Sequence, residues 1–286
     1  MAAGKWWISC ALAGALVGSA ACSAAPPRPF VAQTHPGVIA TEALEYGHAV
    51  DAEGADVALE LDLFEPEGDV SPARPAVVFV HGGGFTAGTR AEIRYLAEDF
   101  ARRGYVTVSI DYRLRSGTIF SFASPNADAQ AAIIDARHDA QAAVRWVKAH
   151  AGAYRIDPTR VAIAGYSAGA ITALGVAFRS DDPGDSGTPG ESSRVCTAVS
   201  LSGVHVEGGI DPSDPQVTLI HGSVDDIVPT EQARATAFGA AASGRLARYH
   251  EYPGVGHLLI IDPRSSTYRD VLADALSRAL SAGPCS

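Results

Sequence analysis

Positive charge is scarce in this chain. Against 32 Asp and Glu stand 22 Lys and Arg, a formal net charge of −10. That balance argues against a nucleic-acid partner, whose phosphates need clustered Lys and Arg. There is no H-E-x-x-H and no pair of cysteines at ligand spacing, so nothing points to a metal site. No internal repeat is visible. The apolar segment from Trp6 to Ala21 is too short and too rich in small residues to span a bilayer comfortably. Cysteine is also sparse, with 4 in 286 residues, and Cys10 and Cys22 both fall in that N-terminal region.

The remainder is ordinary globular material, 47% hydrophobic and 19% charged, enough to bury one sizeable core. Lys5 followed by the Trp6–Ala21 segment has the form of a signal peptide, which predicts export and assigns residues 1–22 to a leader. Ser19-Ala20-Ala21-Cys22-Ser23 is similar to a bacterial lipobox, with Ser19 where an aliphatic residue is usual. Two outcomes stay open: a lipid on Cys22 that attaches the protein to a membrane, or ordinary cleavage and secretion. Residues 23–42, Pro-containing and without periodicity, read as a linker, and 43–286 as one domain. Cys196 and Cys285 are the two thiols left in an exported chain. They predict one disulfide between a core strand and the C-terminal tail, with two unpaired cysteines as the alternative.

Val57 to Leu63 alternates apolar and polar residues, which predicts an antiparallel edge strand after a short strand at Ala43–Val50. From Ala76 the pattern changes. A continuously apolar run, Ala76–Val80, an apolar run, Val161–Ala164, and further strand-like stretches (Tyr105–Ile110, Val195–Leu201, Val217–Ile220, Leu246–Tyr252) alternate with helical stretches (Arg90–Arg102, Asp128–Ala151, Glu231–Ser243, Tyr268–Ser281). Such alternation means right-handed crossovers and a mostly parallel sheet.

Gly165-Tyr166-Ser167-Ala168-Gly169 stands between an apolar strand and a helix. There a serine on a strained turn projects its hydroxyl at a helix N-terminus, and the flanking glycines leave room for the strand and helix to close up. His81-Gly82-Gly83-Gly84-Phe85 directly follows the strand Ala76–Val80. A glycine run there can aim backbone N–H groups at the oxygen of a tetrahedral intermediate. Gly83 and Gly84 are the candidate donors, with the N–H of Ala168. Asp225, in His221-Gly222-Ser223-Val224-Asp225-Asp226, is the candidate acid and Asp226 its rival. His257, in Gly254-Val255-Gly256-His257, is the candidate base, with His205 a remote alternative. His81 and His221 read as braces of their own turns.

Together with Asp111-Tyr112-Arg113-Leu114 and Arg145-Trp146-Val147, these motifs resemble the α/β-hydrolase superfamily over about residues 43–282. Within it they are similar to the HGGG-bearing carboxylesterases and the acetyl- and feruloyl-esterase-like proteins of exported bacterial type. The resemblance implies a central, mostly parallel sheet of eight strands flanked by helices. It also implies ester hydrolysis without a cofactor, by Ser167, His257 and Asp225. Small acyl esters or ester groups on glycans are the expected substrates. The connection 202–215 is too short for a helical lid, so no large cap domain and an open cleft are expected. Phe85, Tyr166, Phe120 and Phe122 are candidates to line the pocket, with Ser116–Asn126 either its variable wall or simply packed down. Two rivals on the same scaffold remain: an aminopeptidase-like hydrolase, and an envelope lipoprotein that kept the fold without catalysis. Oligomeric state is left open.

Overall fold

The computed structural model describes residues 28–115, 126–257 and 266–285. The leader, Cys22, Phe120, Phe122 and nearly all of the expected pocket wall lie outside them. Eight strands form one sheet: β1 (Val38–Val50), β2 (Asp56–Pro66), β3 (Arg74–Val80), β4 (Val106–Ile110), β5 (Ile156–Tyr166), β6 (Thr197–Leu201), β7 (Gln216–Gly222) and β8 (Leu246–Tyr252). Five helices are described: α1 (Arg94–Arg102), α2 (Ala127–Ala149), α3 (Ala168–Phe178), α4 (Thr230–Ala242) and α5 (Ser266–Ser281). The strand order is β1-β2-β4-β3-β5-β6-β7-β8. β1 with β2 and β2 with β4 pair antiparallel, and all other neighbours are parallel.

The apolar runs are explained by burial on both faces. In β3, Val77 and Phe79 join Leu96 and Phe100 of α1 on one side of the sheet. Ala76, Val78 and Val80 join Val144 of α2 and Leu174 of α3 on the other. In β5, Ala162 and Ala164 face the layer holding Leu272 and Leu276 of α5, and Ile163 faces the opposite layer. A strand sandwiched this way has no wet face, so it shows no alternation.

Two expectations are corrected at the N-terminal side. The sheet begins at Val38 rather than 43, and residues 28–37 are packed against the fold rather than forming a free linker. Thr34 and His35 N–H groups donate to Arg102 O at 2.8 and 3.0 Å, Gln33 Nε2 donates to Asp99 Oδ1, and Phe30 packs on Tyr105 with ring centroids 4.9 Å apart. The second correction concerns the alternating strand. β2 lies between β1 and β4, so β1 is the edge. Asp62 of β2 is matched instead of wet: it is 5% exposed and accepts from Arg90 Nε at 2.9 Å. Arg90 also pairs with Asp111 at the end of β4, tying the two strands together.

Cys196 and Cys285 form a disulfide with Cα atoms 5.2 Å apart. It fastens the tail beyond α5 to the beginning of β6, assisted by Cys285 N donating to Thr159 O at 3.0 Å. Residues 202–215 contain turns and no helix. No helix among the described residues is long and apolar enough to cross a membrane.

Candidate active site

β3, β5 and β7 run parallel, so the chain leaves all three at the same edge of the sheet. Ser167 follows β5 with φ 54° and ψ −119°, and is the residue from which α3 springs. A non-glycine residue there is strained, and the surroundings enforce it. Ser167 N donates to Leu201 O at 2.9 Å while its carbonyl accepts from Ala170 and Ile171 N at 2.9 and 3.0 Å. A side chain at Gly165 would lie 2.1 Å from Gly169 O, and one at Gly169 would lie 2.2 Å from Val80 O. Both flanking glycines are therefore dictated by close approach of backbone.

Asp225 sits on the turn after β7 and is 6% exposed. Its Oδ1 accepts from Ile227 N at 3.0 Å and Val228 N at 2.8 Å, which leaves Oδ2 pointing at His257 Nδ1, 2.8 Å away. His257 Nε2 lies 2.8 Å from Ser167 Oγ. A carboxylate only accepts, so Nδ1 carries the ring proton and Nε2 faces the serine hydroxyl with its lone pair. The loops that carry acid and base are zipped together: Ser223 N donates to Tyr252 O and Val224 N to Val255 O, both at 3.0 Å. A side chain at Gly222 would lie 2.2 Å from Val255 O. The structure thus brings Ser167, Asp225 and His257 together. Asp226 makes no contact with the imidazole among the described residues. His205 stands elsewhere, its ring edge-on to Phe178.

The glycine turn after β3 is held from behind. His81 Nδ1 donates to Gly82 O at 2.7 Å, and Tyr112 Oη donates to the same oxygen at 3.0 Å. The two rings stack with centroids 4.3 Å apart. Burial holds the His81 imidazole below its usual range and keeps it a neutral donor. Gly83 O accepts from Thr86 and Ala87 N, each at 3.1 Å. In a trans peptide the N–H points opposite to the carbonyl. Fixing Gly82 O and Gly83 O therefore fixes the directions of the Gly83 and Gly84 N–H groups. Those two N–H groups and that of Ala168 have no partner among the described residues.

Of the expected pocket residues, Phe85 is corrected: at 1% exposed and edge-on to Tyr112, its ring is part of the core rather than a wall of the cleft. Tyr166 lies beside the site, but its hydroxyl donates to His257 O at 3.0 Å, which holds the base's backbone. Burial, and secondarily the charge of Asp225, push this phenol up to about 12, so it remains a donor. Sequence reasoning missed the bracing roles of Tyr112 and Tyr166. The signal available for Tyr112 was its place directly after β4, which pairs with β3. A cavity of about 550 Å³ opens at the other ends of the strands, where Thr197, Gln216 and Leu246 begin β6, β7 and β8, so it is not an extension of the Ser167 site. Among the described residues no group of three or more His, Cys, Asp or Glu could hold a metal ion.

Comparison with known proteins bears on family and fold. The profile of the BD-FAE family matches residues 61–204, half of the chain. Esterase LipC of Mycobacterium tuberculosis is 27% identical over 245 residues, covering 71% of this chain and 58% of LipC. The chain spans less than two thirds of the curated relatives it matches. Thermogutta terrifontis esterase 2, solved as its tabun adduct, is 26% identical with a TM-score of 0.63, covering 84% of this chain and 93% of that one. A truncated carbohydrate esterase from gut microbiota superposes with a TM-score of 0.68 at 18% identity, covering 85% and 96%. The fold is that of the α/β hydrolases.

Proposed function

This chain belongs to the BD-FAE family, and on that premise we propose that it is a serine carboxylesterase that cleaves small acyl esters or ester groups carried on glycans. The observation that carries the proposal is the pair of 2.8 Å contacts that join Asp225 to His257 and His257 to Ser167 across 90 residues of sequence. LipC and the Thermogutta protein are esterases by name, which supports the reaction type. The glycan alternative draws on the carbohydrate esterase neighbour and on similarity to the Aspergillus niger chlorogenic acid esterase.

In the proposed mechanism Ser167 Oγ attacks the ester carbonyl carbon as its proton passes to His257 Nε2. Asp225 Oδ2 holds the ring in the reactive tautomer and stabilises the imidazolium. The carbonyl oxygen gains negative charge and is received by the N–H groups of Gly83, Gly84 and Ala168, whose directions are already set, so little reorganisation is needed. The imidazolium then protonates the departing alcohol as the C–O bond breaks, leaving an acyl-serine. Water attacks that carbonyl, giving its proton to His257, and the acid departs as Ser167 Oγ is reprotonated.

Export, with residues 1–22 as leader and Cys22 as the alternative lipid site, is part of the same proposal. The Cys196–Cys285 disulfide supports it, since such bonds persist in oxidising compartments. The deciding experiment labels purified protein with a fluorophosphonate probe and follows p-nitrophenyl acetate hydrolysis. Wild type should label and turn over, and Ser167→Ala should do neither, losing roughly 10⁴-fold or more in kcat. A wild type that neither labels nor hydrolyses any acetyl, butyryl, octanoyl or feruloyl ester would contradict it.

A further inference from the structure

Beside the acid, at the same carboxylate oxygen that meets His257, stands a second imidazole that the mechanism does not use. His221 is the penultimate residue of β7 and is fully buried. Its Nε2 lies 2.9 Å from Val228 O and 3.3 Å from Asp225 Oδ2. Val228 O can only accept, so Nε2 carries the proton, and the same N–H presents its positive end to the oxygen that His257 uses. Val228 N in turn donates to Asp225 Oδ1 at 2.8 Å. Ring, turn and carboxylate therefore form a closed circuit.

We infer that His221 is a positioning residue of the catalytic acid: its Nε2–H clamps the 225–228 turn through Val228 O and, facing Asp225 Oδ2, tempers the pull of that oxygen on His257. The inference rests on the proposed triad and assigns His221 no contact with substrate.

The geometry gives the effect a sign. An N–H nitrogen held 3.3 Å from Oδ2 sets positive charge beside that oxygen, so less of its negative charge bears on the His257 Nδ1–H. Without that N–H the imidazolium is held more firmly and the base stays protonated to higher pH. A ring serving only as filler or as a brace predicts no such shift. The other titratable groups facing this ring or its acid are Glu251, opposite His221 on β8, and Tyr166 from the serine turn. Glu251 is itself engaged by Arg234 Nε at 2.9 Å and Tyr249 Oη at 2.8 Å. Burial lowers the proton affinity of His221, so the ring stays neutral where the enzyme works and acts as a fixed donor.

The test compares His221→Gln, whose amide nitrogen reaches the Nε2 position, with His221→Asn, whose side chain is too short to do so. Two readouts are taken on the full-length protein: the acidic limb of kcat/KM for p-nitrophenyl acetate, and NMR titration of the isotope-labelled His257 ring. In His221→Asn both midpoints should rise by about half a unit to one unit. His221→Gln should keep them near wild type. Unchanged midpoints in a folded His221→Asn, or midpoints that fall, overturn the inference, whatever happens to the absolute rate. If His221→Asn melts below the assay temperature, His221→Leu, which fills the space without a donor, is read by the same criteria. The NMR arm needs no turnover, so a failure of the esterase reading shows in the wild-type kinetics and is kept separate from a failure of this one.

Discussion

Replacing both Cys196 and Cys285 by serine should destabilise the protein without touching its chemistry. The bridge joins residues 89 apart, and the loop it closes contains β6, β7, α4, β8 and α5 along with Asp225 and His257. In the chain-entropy description, a loop of that length restricts the unfolded ensemble by about 4.6 kcal/mol at 25 °C, and measured losses fall between about 2 and 5 kcal/mol. Cys285 is exposed and Cys196 only half-buried, so two hydroxyls in place of the sulfurs add little packing loss. For a domain of this size each kcal/mol moves Tm by about 2–4 °C, so the double variant should melt at least roughly 4 °C lower, and more where the full entropy is realised. Scanning calorimetry with and without reductant measures this, and reductant should lower the wild type to the same value. Because the bridge lies at the starting end of β6, kcat/KM at 25 °C should stay within about twofold of wild type. A loss below about 1 kcal/mol, or an activity change that outweighs the stability change, would refute the reasoning.

Tyr166→Phe removes the 3.0 Å hydrogen bond to His257 O and keeps the ring. It should lower kcat/KM for p-nitrophenyl acetate by roughly fivefold, about 1 kcal/mol, with Tm nearly unchanged. Acid stability should carry the signature of His205, whose ring burial pushes down from 6.5 to about 4. The unfolded ring takes its proton first as pH falls through about 6.5, so stability drops from there towards pH 4 and levels off below. Between pH 7 and 5 the cost is at most about 2 kcal/mol. Urea denaturation at the two pH values should show this slope reduced in His205→Gln, and an equal slope in both proteins would remove His205 from the account.

The site was legible because its chemistry is spelled locally. A side chain at Gly165 or Gly169, on either side of Ser167, would come within 2.1 or 2.2 Å of a backbone oxygen, which leaves no other residue at the glycine positions. Asp225 and His257 each follow a short strand of the parallel part of the sheet, so strand order carries them to one rim. Long-range polar pairings were not legible. Asp62 gives β2 the alternation of an edge strand, and its burial is made tolerable by distant partners, Arg90 28 residues later and the backbone N–H of Ala43. Residues 28–37 have no period because they are irregular, and their contacts with α1 are visible only once that helix is in place. Phe85 follows a glycine turn that invites a pocket reading, but its φ of 65° is part of a chain reversal that leaves its ring in the core. The bracing roles of Tyr112 and Tyr166 depend on carbonyls that no sequence pattern advertises.

The disulfide fastens the lower margin of the sheet, while the serine, acid and base all leave from its upper margin. Anchorage and chemistry are thus mechanically separated. The bridge limits the freedom of the unfolded chain from below, and the turns that carry Ser167, Asp225 and His257 are left to be shaped by their own backbone hydrogen bonds above.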